Sequence, residues 1–152
     1  MVIIAQMDAL DRNLLNTLLT ESRVSAREIA RTLRCSTATV LKRLRQLERD
    51  AILKRCTALV DYEKIGYDIS AMIQLRVEKG KELEVSEKLS HNPHVSAIYD
   101  ITGDFDTVII AKFKNRNQLN TYVKALQHYP FISRTHTSLI LNTIKEEPIL
   151  IE

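Results

Sequence analysis

The chain has 152 residues, of which 45% are hydrophobic and 27% are charged, as expected for one ordinary globular domain or two small ones. No apolar run approaches the roughly 18 residues that a membrane-spanning helix requires, and Met1–Gln6 lacks the features of a secretion signal. The two cysteines form no Cys-x-x-Cys pair, so we expect reduced thiols in a cytoplasmic protein with no membrane or metal partner.

The charge is unevenly distributed along the chain, although the net value of +3 is only mildly basic. Residues 1–55 contain eleven Lys/Arg and six Asp/Glu, whereas residues 56–152 contain eleven and thirteen. This asymmetry indicates that the first part binds a polyanion and that the second part has another role.

Three short helices are predicted in the first 50 residues. Leucine recurs at every fourth position from residue 10 to residue 18, which favours a first helix. Ser25 and Glu28 have the spacing of a capping box for the second helix. Ser36 is placed to cap a third helix that runs to about Arg49. Only Arg34–Cys35 separates the second and third helices, as in a helix-turn-helix.

The pattern changes after this basic region. Residues 52–60 have β character and predict a wing strand, and residues 61–66 are polar and turn-rich. We therefore expect a helix-turn-helix domain at 1–55, a connecting strand and linker at 56–66, and a second domain at 67–152.

The second domain alternates strands and helices. Apolar and polar residues alternate from Ile69 to Val77, which predicts a strand. The later elements are expected as a helix at Lys81–Ser90, a strand at His94–Thr102, a turn at Gly103–Phe105, a strand at Asp106–Phe113, a helix at Gln118–Gln127 and a strand at Ile132–Ile144. The order β-α-β-β-α-β is that of the ferredoxin-like fold. The overall class is α+β, a winged helix-turn-helix followed by a ferredoxin-like α/β sandwich.

A dimer is predicted from the faces of this sheet. Both crossover helices fall on one face, so the other face must be polar or covered. Successive residues of a strand point to opposite faces of the sheet. Because residues 108–111 and 139–141 are all apolar, both faces are apolar at these positions. We therefore expect the second face to pack against another subunit.

The third helix is predicted to bind double-stranded DNA. Its first turns carry small polar residues that suit base edges, and its later turns are basic and suit phosphates. The expected base-facing residues are Thr37, Ala38, Thr39 and Lys42. The expected phosphate contacts are Arg43, Arg45 and Arg49, with Arg31, Arg34 and the capping Ser36. The alternative is a solvated basic face, but residues 31–55 hold eight Lys/Arg against two Asp/Glu, which favours DNA.

Several segments together resemble the Lrp/AsnC family of feast/famine regulators. They are Leu10–Leu15, Glu28–Ala30, Ser36–Val40, Arg43–Glu48 and the Gly-Asp-Phe-Asp segment Gly103–Asp106. The resemblance extends from about Met7 to Glu147. The family usually has glycine where Arg34 stands and near Ala51, and often has Gly-Tyr where Arg55–Cys56 stand.

The resemblance implies a transcriptional regulator that dimerises through its second domain and often assembles into octamers. It also implies that an amino acid binds between dimers, near the hairpin and the last strand. The residues expected there are Tyr99, Asp100, Thr102, Gly103, Asp104, Asp106, Thr135 and Thr137. Carboxylates would accept from the ammonium group of the effector, and turn amides would bind its carboxylate. A plain tight turn and an acid/base or metal site are the alternatives for this hairpin.

Three functions are consistent with the sequence, and none of them requires a cofactor. The first is a transcriptional regulator that responds to an amino acid. The second is an architectural DNA-wrapping protein without an obligatory effector. The third is a small enzyme or an amino-acid-binding regulatory subunit, which leaves the basic helix unexplained. The chain has no G-x-S-x-G, G-x-G-x-x-G or P-loop motif, so we expect no enzymatic activity.

Overall fold

The structure is a computed structural model that describes residues 7–152, and the expectation about a secretion signal at residues 1–6 lies outside this range. The chain divides into two compact units. Unit 1 contains the chain up to Leu59 together with Lys145–Glu152, and unit 2 is Val60–Ile144. The first boundary falls inside the predicted linker, but the carboxyl-terminal segment belongs with unit 1 rather than with the second domain.

Three helices form unit 1, at α1 Ala9–Thr20, α2 Ala26–Thr32 and α3 Thr37–Arg49. Capping boxes begin the first two helices, with Asp8 and Asp11 at α1 and with Ser25 and Glu28 at α2. Six buried residues form the core, namely Leu14, Leu15, Ile29, Ala30, Val40 and Leu47. Because these apolar positions recur at helical spacing, the prediction of a helix-turn-helix is confirmed.

Non-glycine residues in the left-handed conformation end both α2 and α3. Arg34 follows α2 with φ of 54°, and Ala51 follows α3 with φ of 55°. The next amide then bonds back into each helix: Cys35 N–H donates to the Ala30 carbonyl at 2.9 Å, and Ile52 N–H donates to the Leu47 carbonyl at 2.9 Å. This is the Schellman arrangement, in which glycine is the usual residue. The turn geometry is therefore kept without glycine, at a cost in backbone strain.

The predicted wing strand does not form, so the wing part of the expected winged helix-turn-helix is wrong. Residues 52–60 contain no strand, residues 54–60 are exposed, and none of residues 52–60 pairs with another strand in the described part of the chain. A strand requires a neighbouring backbone to satisfy its N–H and C=O groups. The β-prone composition of this segment is therefore not sufficient to make a strand.

Unit 2 is the predicted ferredoxin-like module. Its elements are β1 Ile69–Val77, α4 Glu82–Ser90, β2 Val95–Asp100, β3 Thr107–Phe113, α5 Arg116–Gln127 and β4 Ile132–Ile140. The strands lie in the order β2-β3-β1-β4, and neighbouring strands are antiparallel. The last strand ends at Ile140, earlier than predicted, because its partner on β1 at this position is Ser70, close to the start of β1.

The sheet has two different faces. One face packs against α4 and α5, with Ile73, Leu75, Ile109 and Phe113 fully buried in the core. We call the opposite side the open face. Since residues paired across antiparallel strands point to the same side, the register places these residues on it: Met72, Gln74, Arg76, Ala97, Tyr99, Val108, Ile110, Arg134, His136 and Ser138.

Candidate nucleic-acid interface and effector site

The outer surface of α3 bears the residues that were predicted to face the bases. Thr37, Ala38 and Lys42 are exposed, and Thr39 is half-buried. A shallow groove of about 460 Å³ is lined by Ala38, Thr39, Lys42, Arg43 and Gln46. The start of the helix therefore offers short side chains beside a cation, an arrangement that can approach base edges closely.

Two cations on this surface are uncommitted. Within the described residues, Lys42 and Arg45 have neither an ion-pair nor a hydrogen-bond partner. The Arg49 guanidinium donates to the side-chain oxygen of Gln46, whose amide nitrogen in turn donates to Asp50 at 2.9 Å. The positive charge of Lys42 and Arg45 is thus available to neutralise phosphates and release counterions.

Arg43 is committed to an internal contact. Its guanidinium lies 2.8 Å from a carboxylate oxygen of Asp8 and 3.2 Å from one of Asp11. A hydrogen bond from the Asp11 backbone N–H lowers the pKa of Asp8, desolvation opposes this shift, and the charge of Arg43 lowers the pKa further. Arg43 therefore connects the middle of α3 to the beginning of α1. The predicted phosphate contact of Arg43 must compete with these two carboxylates.

The remaining predicted DNA contacts lie at the entry to the helix. Ser36 Oγ accepts from the Thr39 N–H at 3.0 Å, which caps α3 as predicted. Arg31 and Arg34 are exposed at the end of α2 and in the turn. The first amides of α3 and these two cations therefore occupy the same end of the helix-turn-helix, where an anion is favoured.

The hairpin between β2 and β3 is held by its own hydrogen bonds. Ile101 N–H donates to the Asp106 carbonyl at 2.9 Å, and Gly103 adopts φ of 121° in the turn. Asp106 Oδ2 accepts from the Val77 N–H at 2.8 Å, and the Asp106 N–H donates to the Leu75 carbonyl at 2.9 Å. Asp106 therefore fixes the hairpin to β1, whatever else it binds.

Four residues near this hairpin were missed by the sequence reasoning. Arg76 Nε donates to the Asp104 carbonyl at 2.8 Å, which brings a guanidinium to the turn. The Arg134 guanidinium lies 5.5 Å from the centre of the Phe105 ring, and the rings of Phe105 and His136 are 6.0 Å apart. These residues are far apart in sequence, and only their shared position at the end of the open face brings them together.

The structure separates the residues that were predicted for the effector. Thr135 pairs with Leu75 and Thr137 pairs with Ile73, so both threonines point toward the helix-covered face. Asp100 shares that face because it pairs with Thr107, whereas Tyr99 is on the open face and is 58% exposed. Thr102, Gly103 and Asp104 are exposed in the turn itself. The two threonines therefore do not lie on the same side of the sheet as Arg134 and His136.

Comparison with family profiles identifies both parts of the chain. Residues 7–48 match the AsnC-type helix-turn-helix domain, and residues 70–150 match the Lrp/AsnC ligand binding domain. The chain belongs to the Lrp/AsnC family. As a member of this family of transcriptional regulators, it is a DNA-binding transcriptional regulator.

Curated relatives of this Lrp/AsnC protein agree with the assignment. An uncharacterised helix-turn-helix-type transcriptional regulator of Pyrococcus horikoshii is 36% identical over 142 residues, which cover 93% of this chain and 96% of the relative. The helix-turn-helix-type transcriptional regulator FL11 of the same organism is 31% identical over 140 residues, which cover 92% and 93% of the two chains.

Solved structures share the fold over almost the whole chain. A Neisseria meningitidis transcriptional regulator in complex with L-Met has a TM-score of 0.83 and 25% identity, covering 93% of this chain and 94% of that one. AsnC of E. coli has a TM-score of 0.85 and 21% identity, covering 97% and 100%, and its likeness shows the fold alone.

No helix among the described residues of this Lrp/AsnC protein is both long and apolar enough to cross a membrane. In the same range, no group of three or more His, Cys, Asp or Glu side chains is arranged to hold a metal ion. Cys35 and Cys56 are free thiols, of which only Cys56 is exposed.

Proposed function

We propose that this regulator recognises specific DNA sequences through α3 and that an amino-acid effector controls its assembly and its DNA affinity. The observation that carries the DNA part is the pair of uncommitted cations, Lys42 and Arg45, on a helix that opens with Thr37 and Ala38. Cations without internal partners need not give up an ion pair on binding phosphate. The short side chains next to them leave room for direct contact with base edges.

Footprinting tests sequence-specific recognition. We expect a discrete protected site with two half-sites, because a dimer presents two copies of α3 related by symmetry. Broad protection without preferred sequences would contradict the proposal and favour an architectural DNA-wrapping protein.

The effector part of the proposal is supported by the charges at the hairpin. The Asp104 carboxylate is exposed and has no partner among the described residues, while Arg76 and Arg134 lie at the same end of the open face. A carboxylate beside two guanidinium groups is complementary to the ammonium and carboxylate of an amino acid. The L-Met complex of the related Neisseria meningitidis regulator is consistent with this class of ligand.

Thermal melting against each of the twenty amino acids tests the effector. A ligand that binds only the folded protein must raise its melting temperature. We expect at least one amino acid to do so, and we expect Asp104→Ala to abolish the shift. The matched control is Asp68→Ala, which removes another exposed carboxylate of unit 2. An unchanged response in Asp104→Ala would contradict the assignment.

The assembly part rests on the open face. Met72, Val108 and Ile110 form an apolar centre on a sheet whose other side already packs against two helices. We infer that a second copy covers this centre, and that the resulting dimers associate into an octamer. Sedimentation of the wild type should show a dimer or larger, and Ile110→Asp should yield monomers. A monomeric wild type at micromolar concentration would contradict this part.

A further inference from the structure

The carboxyl-terminal segment makes a selective contact with the DNA-binding unit. Among residues 141–152, all of which the structure describes, Ile151 alone is not exposed. By contrast, Ile144 and Ile149 are 93% and 84% exposed. Ile151 packs against the core formed by α1, α2 and α3. One apolar side chain of the segment is therefore inserted, and the rest of the segment remains on the surface.

The side chain of Asn16 in α1 binds both the backbone N–H and the backbone carbonyl of Ile151. Its side-chain nitrogen donates to the Ile151 carbonyl at 2.9 Å, and its side-chain oxygen accepts from the Ile151 N–H at 2.8 Å. The amide thus replaces the backbone of a neighbouring strand, as in recognition of an extended peptide. Asn16 is half-buried on α1, and both of its polar side-chain atoms are used to bind Ile151.

The docked segment is placed over an incompletely filled surface. A cavity of about 930 Å³ lies in unit 1, lined by α1 leucines including Leu18 and by Pro148 and Ile149 of the segment. Ordering the segment costs conformational entropy. At Ile151, two hydrogen bonds and one partly buried side chain help to offset this cost, and contacts of this modest strength are suited to reversible release.

We propose that Lys145–Glu152 is a detachable strap, and that its docking on Asn16 holds the DNA-binding unit in the state that binds DNA. The chain leaves unit 1 after Leu59 and returns to it at Lys145, so Lys145–Glu152 is a second stretch of chain that continues from unit 2 and is held on unit 1 by non-covalent contacts. The strap follows β4, which carries Arg134 and His136 beside the hairpin. Its regulation by an effector rests on the proposed function, whereas the strap itself does not.

Carboxypeptidase digestion followed by mass spectrometry tests the docking without DNA or effector. We expect Asn16→Ala to accelerate loss of Ile151 at least about fivefold, because both hydrogen bonds to that residue are removed. The matched control is Asn13→Ala, the same substitution one turn earlier at an exposed position of α1. Equal digestion rates in the two variants would overturn the strap.

DNA affinity tests the coupling, with a chain ending at Leu150 as a second variant that leaves α1 intact. We expect Asn16→Ala and the truncation each to weaken DNA binding at least about threefold, since a preorganised unit loses less freedom on binding. The variant that combines both changes should bind DNA no more weakly than the single variant with the lower affinity, because both changes remove the same contact.

Two results would overturn the coupling: unchanged affinity in a variant whose strap is released, or fully additive losses. Circular dichroism melts confirm that each variant is folded. A wild type that shows no amino-acid response would contradict the proposed effector, but it would leave both strap measurements interpretable.

Discussion

The surface of α3 and the β2–β3 hairpin differ in how far their polar groups are already engaged. Lys42 and Arg45 on α3 have no internal partner within the described residues. In the hairpin, Asp106 accepts from the Val77 N–H and the Asp104 carbonyl accepts from Arg76. A surface that must meet a long polyanion can keep its charges uncommitted, whereas a small ligand requires groups that are already positioned.

Residues of the same type within one site also differ in whether their side chains are already bound inside the fold. Asp104 and Asp106 are two positions apart, but only the Asp106 carboxylate is used by the fold. Likewise Arg45 is uncommitted on α3, whereas Arg43 pairs with Asp8 and Asp11. Substitutions at these pairs should therefore affect different properties.

The largest expected effect is on DNA affinity. Replacing both Lys42 and Arg45 with alanine should weaken binding roughly tenfold to a hundredfold and reduce the slope of log K against log salt by about two, because two positive charges that are available to neutralise phosphates are lost. Gel shifts over a range of salt concentrations measure both quantities. The control is Lys79→Ala, an exposed cation of unit 2. If affinity and slope are unchanged in the double variant, α3 is not the reading helix.

The next effect should distinguish the two aspartates of the hairpin. Asp106→Ala leaves the Val77 N–H without its acceptor, which should lower the free energy of unfolding by about 1–3 kcal/mol. Asp104→Ala should change the free energy of unfolding by less than about 0.5 kcal/mol, because its carboxylate is exposed. Urea denaturation measures both values. Equal losses in the two variants would remove the distinction between a positioning and a ligand-binding carboxylate.

A smaller effect, a gain in stability, is expected at Ala51, where the family usually has a glycine nearby. Ala51→Gly should raise the free energy of unfolding by up to about 1 kcal/mol, because glycine adopts positive φ without strain. The control is Ala38→Gly, which places glycine in a helix and should destabilise by up to about 1 kcal/mol. Denaturation measures the change in the free energy of unfolding for each variant. The two changes should have opposite signs if Ala51 is strained, and the same sign would show that it is not.

The smallest expected effect concerns Asp8 and acid. The pKa of Asp8 is lowered below its ordinary value of 3.8 in the folded protein. Ionised Asp8 therefore contributes fully to stability when the pH is above this ordinary value, and the contribution is lost as the pH falls through the lowered pKa of the folded state. Asp8→Asn keeps a capping side chain but removes the charge facing Arg43, and it should flatten the loss of stability below about pH 4. Melting temperatures between about pH 2 and pH 7 measure this, with Glu21→Gln as the control. An unaltered pH profile would show that Arg43 is not held by that charge.

Local patterns accounted for most of the fold. The leucine spacing of α1, the Ser25–Glu28 capping box and the strict alternation of β1 each report a single element, and each element forms. The β-prone segment at residues 52–60 misled the prediction because strand formation depends on a partner, which a local pattern cannot reveal.

The candidate sites were predictable to different degrees. Most residues of the predicted DNA surface lie on α3 or in the turn before it, and helical spacing places Ala38, Lys42 and Arg45 on one face. Arg31 is the exception, at the end of α2. The predicted effector residues come from two strands, β2 and β4, and from the turn between β2 and β3. The sequence alone could not determine which of Thr135, His136 and Thr137 faces the hairpin, because a shift of one residue in register reverses every side chain.

By itself the sequence determined the helix-turn-helix, the β-α-β-β-α-β order and the basic surface of α3, because each depends on the periodicity of neighbouring residues. Tertiary structure decided the rest. It placed Arg76, Arg134 and His136 at the hairpin, engaged Arg43 with two carboxylates, and returned Ile151 to Asn16 across most of the chain. These contacts join residues that are distant in sequence, so they depend on how the elements pack rather than on the local pattern of any one of them.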